Sequence, residues 1–239
     1  MKALDLFCGA GGAGRGLENA GFKHIVGVDI NKQPEYPHEF IQSDVFGLDP
    51  GIFDDFDFIW ASPPCQLYSC ASAMNRYNGI RYPDLIDDTR VLLRSLGLPC
   101  VIENVPPAPM RRDLMLCGEM FGLNVIRHRI FEIEGFRVPQ PEHRPHRGLC
   151  IDGYYFTLAG HGRHSIQYYC RRHDLDTKRI IDVFQHASGI DWISDKKMIV
   201  QAVPPKYSEY IGRSFLDPKS VMSVLELPAK YQSIICSFW

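Results

Sequence analysis

Apolar and polar positions fall in blocks along the first half of the chain, with short apolar runs followed by stretches of helical spacing. Ala3 to Phe7 is the first run and predicts a buried strand; the glycine-rich CGAGGAGRG follows it, and a helix is predicted through about Ala20. His24 to Asp29 predicts a second strand that ends in an acid, and Phe56 to Ala61 a third that ends at Ser62-Pro63-Pro64-Cys65. Between Asp84 and Leu96, the residues Leu85, Ile86, Val91, Leu92 and Leu96 recur at helical intervals. Val101 to Glu103 predicts a short strand stopped by Asn104-Val105-Pro106, and Ile130-Phe131-Glu132-Ile133 alternates as a strand does. Strands alternating with helices predict an α/β fold of Rossmann-like type, a mostly parallel sheet with helices on both faces. Ligands of such sheets sit beyond the carboxyl ends of the strands, where the glycines, Asp29, Cys65 and Glu103 all fall.

The pattern changes after Glu134. From Phe136 to about Ser194 the chain is rich in Arg, His, Gly and aromatic residues with weak periodicity, and regular order returns from Lys197 to Ile211. The expected organisation is a main unit of residues 1–135 and 195–239 with a small inserted region over 136–194.

Composition narrows the class. The 239 residues are 45% hydrophobic and 23% charged, the balance of a soluble globular enzyme of one large domain. A formal charge of −2 provides no global basic field, so any nucleic-acid contact must come from a local patch. The opening MKALDLFCGAGG lacks the basic and apolar regions of an export signal, and no apolar run reaches about 18 residues, which predicts a cytoplasmic protein with no membrane partner. The eight cysteines lack disulfide-scaffold spacing; Cys65 excepted, they are expected to be small buried apolar residues.

The residue types at the strand ends carry chemistry. Gly9, Gly11, Gly12 and Gly14 open a helix, where backbone amides can approach a ligand and the helix amino terminus favours negative groups. Asp29 can accept hydrogen bonds from ribose hydroxyls or cap the following turn. Two prolines stiffen the approach to Cys65, a nucleophile if a base or a charge activates it. Glu103 is placed to point into the same crevice as a proton or hydrogen-bond donor. Alternation puts Arg127 and Arg129 on one face, where paired guanidiniums need solvent or an anionic or carbonyl-bearing ligand.

In order, Asp5-Leu6-Phe7-Cys8-Gly9-Ala10-Gly11-Gly12, Val28-Asp29, Ser62-Pro63-Pro64-Cys65-Gln66, Glu103-Asn104-Val105 and Arg127-His128-Arg129 resemble the motifs of the C5-cytosine DNA methyltransferases. Gln201-Ala202-Val203-Pro204-Pro205 and Tyr210-Ile211-Gly212 resemble that family's last motif, so the likeness covers residues 1 to about 135 and about 189 to 213. The resemblance implies the S-adenosylmethionine-dependent methyltransferase version of the Rossmann-like fold. It implies that Phe7, Gly9, Gly11, Asp29, Ile30, Asp44, Val45, Pro63 and Ala202 form the cofactor pocket, with Asp29 on the ribose and Asp44 near the adenine amine. Cys65 would attack carbon 6 of cytosine, Glu103 would act on ring nitrogen 3, and Arg129, beside Arg127, would hold the ring oxygen. The substrate implied is double-stranded DNA with the cytosine flipped out; RNA, a free nucleotide, or a catalytically silent binding subunit are the alternatives. Val125 stands where the family usually has glutamine, and Val200-Gln201 where Gly-Asn is usual, which points to a divergent, short, bacteriophage-type member.

In the family, the region after the arginine motif recognises DNA. Here ten Lys/Arg face six acids between Arg127 and Arg179, a local net of +4, interleaved with Tyr154, Tyr155, Phe156, Tyr168 and Tyr169. That mixture suits phosphate binding with base stacking, or a solvated basic face over core tyrosines. His143, His146, Cys150, His161, His164, Cys170 and His173 crowd the same region. His143-Arg144-Pro145-His146 and Cys170-Arg171-Arg172-His173 could pair on zinc, but the spacing is not that of a standard finger, and no metal ligand is assigned. Gln66 to Arg81 reads as a long polar loop, expected to close over the flipped base.

Overall fold

The structure is a computed structural model that describes residues 1–143, 145–148, 152–156, 158 and 163–217, with the side chains of 163–165 excepted. Arg144, Cys150, His161, Cys236 and the stretch 218–239 therefore lie outside the described residues, as do the side chains of Arg163 and His164.

Seven strands form one sheet: β1 (Lys2–Leu6), β2 (His24–Asp29), β3 (Glu39–Gln42), β4 (Phe58–Ala61), β5 (Cys100–Asn104), β6 (Leu114–Leu116) and β7 (Arg129–Glu134). Their order is β3-β2-β1-β4-β5-β7-β6. The first five strands run parallel, and β7 enters antiparallel between β5 and β6. The winding reverses between β1 and β4, which pair Leu6 with Ala61. The segments leaving these two strands are therefore neighbours, and Ser62 N donates to Leu6 O at 3.1 Å. A crevice opens beyond the carboxyl ends of strands at such a reversal.

The helices are α1 (Gly12–Ala20), α2 (Ala73–Tyr77), α3 (Ile86–Leu96), α4 (Arg163–His173), α5 (Ile180–Ser188), α6 (Lys196–Gln201) and α7 (Pro205–Leu216). Alternation along the strands separates two cores. Ala3, Phe58, Trp60 and Val101 face Ala13, Leu17, Tyr207 and Ile211 of α1 and α7, whereas Leu4, Leu6, Ile59 and Ile102 face Leu93 of α3 and the Val45–Phe56 segment. Both faces are covered, which explains why the strands read as continuous apolar runs. Close approach of α1 to α7 depends on glycine: a Cβ at Gly16 would lie 2.0 Å from Pro205 O, and one at Gly12 2.1 Å from Val203 O.

A third core joins Leu123 and Val125 to Phe156, Tyr169, Val183, Phe184 and Ile199, and is built by α4, α5 and α6. The weak periodicity expected over 136–194 thus contains two helices; in α4 the dense arginines and histidines mask the spacing of Ile166, Tyr169 and Cys170. Strands β3 and β6 were not anticipated, because four residues of mixed polarity and three residues carry too little pattern. The expected Gln66–Arg81 loop also contains a 3-10 turn at Cys70–Ser72 and the short α2, and Arg76 Nη1 donates to Gln66 O and Ser69 O at 2.7 and 2.8 Å. Lys197 to Ile211 divides into α6 and α7 because Pro204-Pro205 cannot continue a helix and is suited to begin one.

Two further expectations are corrected. Cys8, Cys100, Cys117 and Cys170 are buried, but Cys70 is exposed on the turn after Cys65. Tyr155, Phe156 and Tyr169 are fully buried in packed aromatic clusters, which removes them from any stacking surface; Tyr168 is exposed, and Arg172 stacks 3.7 Å over Tyr154. Among the described residues no helix is long and apolar enough to cross a membrane.

Candidate active site

The chain leaves β1 through a tight turn with Phe7 (φ 55°), Gly9 (φ 50°) and Gly11 (φ 84°) in left-handed backbone. Asp29, at the end of the adjacent β2, accepts from Gly9 N at 3.1 Å and from Asn31 N at 2.8 Å. Gly11 N donates to Cys8 O, and Gly14 N donates to the buried Asp5 carboxylate at 3.0 Å. These amides are thus spent within the loop. Gly9 offers a ligand room instead, since a Cβ there would meet nothing within 4 Å, whereas one at Gly11 would strike Pro37 and Tyr36. Burial raises the Asp5 carboxyl well above the ordinary carboxylate range despite donors from Tyr36 and Gly14.

Around this turn the expected cofactor residues separate into two groups. The Phe7 and Phe46 rings lie 6.1 Å apart, Phe46 is 42% exposed, and Ile30, just past β2, is 65% exposed. Asp44 is exposed and caps the Val45–Gly47 turn through Phe46 N at 3.1 Å. Val45, by contrast, buries its side chain in the core under β1 and β4. Pro63 is buried, and its carbonyl accepts from Asn104 Nδ2 at 2.9 Å. The Ala202 carbonyl is taken by Arg127 Nη2 at 3.2 Å. Phe46 and Asn104 received no individual role from the sequence: a phenylalanine's exposure is invisible there, and the Asn104–Pro63 bond spans 41 residues.

Cys65 sits half-buried just past β4, and its carbonyl accepts from Tyr68 N and Ser69 N at 3.0 and 2.9 Å, closing the turn that presents the thiol. Burial pushes the thiol up and Glu103 pushes it further, while Arg129 and Arg127 pull it down. Glu103, on β5, is 5% exposed and stands 2.7 Å from Arg129 Nε through Oε1. That contact is an ion pair without hydrogen-bond alignment, so Oε1 keeps an unused acceptor direction out of solvent. Arg129 Nη1 also donates to His128 O at 2.9 Å. Arg127 Nη2 reaches Gln201 O and Ala202 O, and the Tyr207 hydroxyl holds the Arg127 carbonyl. Burial and the neighbouring Arg129 both work against the Arg127 charge, although a guanidinium stays protonated near neutrality. A cleft of about 480 Å³ runs between Ser69–Ala71, Val105–Pro107 and Val125–Arg129; Arg127 and Arg129 line it, whereas Cys65 and Glu103 are not part of its lining. The structure thus brings Cys65, Glu103, Arg129 and Arg127 together from β4, β5 and the start of β7.

The sequence profile described as C-5 cytosine-specific DNA methylase matches residues 1–108. The likeness to that family thus lies in the first 108 of the 239 residues. Among curated proteins, the chain is 30% identical over 133 residues to the type II methyltransferase M.HgiDI of Herpetosiphon aurantiacus, covering 51% of this chain and 42% of that protein. It is 29% identical over 118 residues to M.NlaIV of Neisseria lactamica, covering 44% of this chain and 28% of the relative. The shorter M.HgiGI of H. aurantiacus matches over 96% of its own length and 47% of this chain, at 29% identity. The chain therefore spans well under half the length of M.NlaIV and M.HgiDI. Among solved structures, a protein described as a DNA modification methyltransferase from an Escherichia coli prophage superposes with a TM-score of 0.59 at 14% identity, covering 93% of this chain and 99% of that one. The Schizosaccharomyces pombe Dnmt2 methyltransferase gives 0.53 at 15% identity, with 92% and 99% covered. These likenesses establish the methyltransferase fold.

Within this C-5 cytosine-specific DNA methylase relative, the two motif departures have visible surroundings. Val125 is 1% exposed in the third core, where a glutamine amide would need partners that its apolar neighbours lack. Gln201 contributes its backbone carbonyl to Arg127, a role that any residue type can fill. The family uses S-adenosylmethionine as its methyl donor.

Proposed function

We propose that this protein methylates carbon 5 of cytosine in double-stranded DNA, with the target base flipped out of the duplex to meet Cys65. The observation that carries the reading is the convergence of a half-buried thiol, a buried carboxyl and two guanidiniums beyond the carboxyl ends of β4 and β5. Phe7, Gly9, Asp29, Ile30 and Asp44 hold S-adenosylmethionine, which when bound supplies an electrophilic methyl group.

Cys65 as thiolate adds to carbon 6 of the ring, and the displaced electron pair makes carbon 5 nucleophilic. In this reading Glu103 shares a proton with ring nitrogen 3 and Arg129 supports the ring oxygen, so the charge of the adduct is neutralised. After carbon 5 is methylated, loss of its proton and expulsion of the Cys65 thiolate restore the enzyme. Asn104 and the Tyr68 and Ser69 amides keep the Pro63–Cys65 turn fixed throughout. The inserted region 136–194, locally basic, reads the DNA, and the turn with α2 after Cys65 covers the flipped base.

Incubation with labelled S-adenosylmethionine and duplex DNA, transfer RNA or deoxycytidine nucleotides tests substrate choice; transfer to duplex DNA is expected. Cys65→Ser should retain cofactor binding and lose all but a few per cent of transfer. DNA carrying 5-fluorocytosine should trap an adduct that peptide mapping places on Cys65. An adduct on Cys70 or Cys8, or transfer confined to RNA or nucleotides, refutes the assignment.

A further inference from the structure

We propose that Cys117, His128, His143 and His146 hold one divalent metal ion of the zinc class, which ties the start of the inserted region to the strand that carries the catalytic arginines. The Sγ of Cys117 and one ring nitrogen of each histidine lie within 4.8 Å of one another. Two separations are especially telling. Cys117 Sγ is 3.6 Å from His146 Nε2, and His128 Nε2 is 3.1 Å from His143 Nε2. Tetrahedral zinc with Zn–S of about 2.3 Å and Zn–N of about 2.05 Å places sulfur roughly 3.6 Å from nitrogen and nitrogens roughly 3.3 Å apart. The donors already stand close to those spacings.

The fold explains why they meet. Strands β6 and β7 pair antiparallel with Leu116 opposite Arg129, so Cys117 and His128 lie one step beyond that pair and face each other. His143 and His146, from the segment after β7, come back onto them, and the three imidazole centroids are 5.0 to 5.4 Å apart. Cys117 is fully buried, His128 and His146 are half-buried, and His143 is exposed, which provides a route for an ion. Neighbours fix the ligands as the surroundings of metal sites do. The His146 ring packs edge-on against the buried Tyr155, Tyr155 accepts from Arg147 N at 2.9 Å, and Arg147 Nε pairs with Glu119 Oε1 at 2.8 Å. The cluster touches the Cys65 site through His128, whose carbonyl accepts from Arg129 and which also lines the cleft. It uses His143 and His146 but takes its sulfur from Cys117, 26 residues before His143, so pairing motifs along the sequence could not reveal it.

The test is metal content of the full chain, purified with reductant and without chelator. One equivalent of zinc is expected. Stripped protein titrated with Co(II) should show tetrahedral absorption with a thiolate-to-cobalt band, and Cys117→Ser should remove that band. Because Cys117 is buried and that variant can misfold, His143→Ala and His146→Ala on the loop are the second arm; each should weaken Zn(II) binding at least tenfold while folding normally. His173→Ala, beside the separate His186, should keep the metal. Failure to bind Zn(II) or Co(II), an octahedral Co(II) spectrum, or retention of metal by the His143→Ala/His146→Ala double variant overturns the proposal. None of these readouts depends on methyl transfer, so a negative result here leaves the Cys65 assignment standing or falling on its own adduct.

Discussion

Replacing Arg129 by alanine isolates the pair on which the catalytic reading depends. The partners are 2.7 Å apart with side chains only 12% and 7% exposed. At that separation and an effective dielectric of about 20, attraction is about 6 kcal/mol before desolvation is subtracted. Truncating one partner of such a pair leaves the other charge buried and destabilises by about 3 to 5 kcal/mol. At roughly 2 to 4 °C per kcal/mol for a chain of this size, the melting temperature should fall by roughly 6 to 20 °C. Glu103→Gln should destabilise less, about 1 to 2 kcal/mol, because Arg129 keeps its bond to His128 O. The double variant buries neither charge. Urea unfolding of all four proteins should therefore give a coupling energy of at least about 2 kcal/mol. Additivity of the two single variants within about 0.5 kcal/mol would refute the argument, since it would mean that the two charges do not compensate each other. In a Cys70→Ser background, iodoacetamide labelling of Cys65 reads the same pair electrostatically. Since Glu103 raises the thiol and Arg129 lowers it, Glu103→Gln should move the labelling profile to lower pH and Arg129→Ala to higher pH.

Gly16→Ala drives a Cβ to within 2.0 Å of Pro205 O and Ser208 Oγ, so α7 should be pushed from α1 and stability should drop by about 1 to 3 kcal/mol in urea titration. Asn104→Ala releases the Pro63 carbonyl and should lower kcat/KM for methyl transfer roughly ten- to a hundredfold with cofactor affinity unchanged, as read by calorimetry and label transfer. Burial pushes Glu132 up, but Arg90, 2.7 Å away, and the Arg111 amide outweigh it and hold the carboxyl below its ordinary range. A depressed carboxyl contributes stability that is present above its unfolded value near 4.3 and lost as pH falls through the folded value. The urea midpoints of wild type and Glu132→Gln should accordingly differ at neutral pH and converge in acid.

Much of the catalytic half was legible along the chain. The runs around Leu4, Val26, Ile59 and Val101 lie in strands covered on both faces, so apolar continuity marked them within a few residues. Cys65 and Glu103 were placed near strand ends because prolines follow those strands, although β5 runs one residue past Glu103 to Asn104. The inserted region was read less well. Tyr155 and Tyr169 resemble a stacking surface in sequence, and only the packing of α4 against α5 shows them to be core. The glycine turn was located correctly, but its amides are committed to Asp29, Cys8 and Asp5 by bonds that no local pattern records.

The residues themselves determined the alternation of elements, the strand ends and the chemical types available, because these depend on local order and on intrinsic side-chain chemistry. Tertiary structure alone decided which of them meet. Inserting β7 antiparallel beside β5 carries Arg129 to Glu103 across 26 positions, and the β6–β7 register sets Cys117 against His128. Long-range pairing and burial follow from how whole elements cover one another, and that information is spread over the chain and concentrated in no single stretch of it.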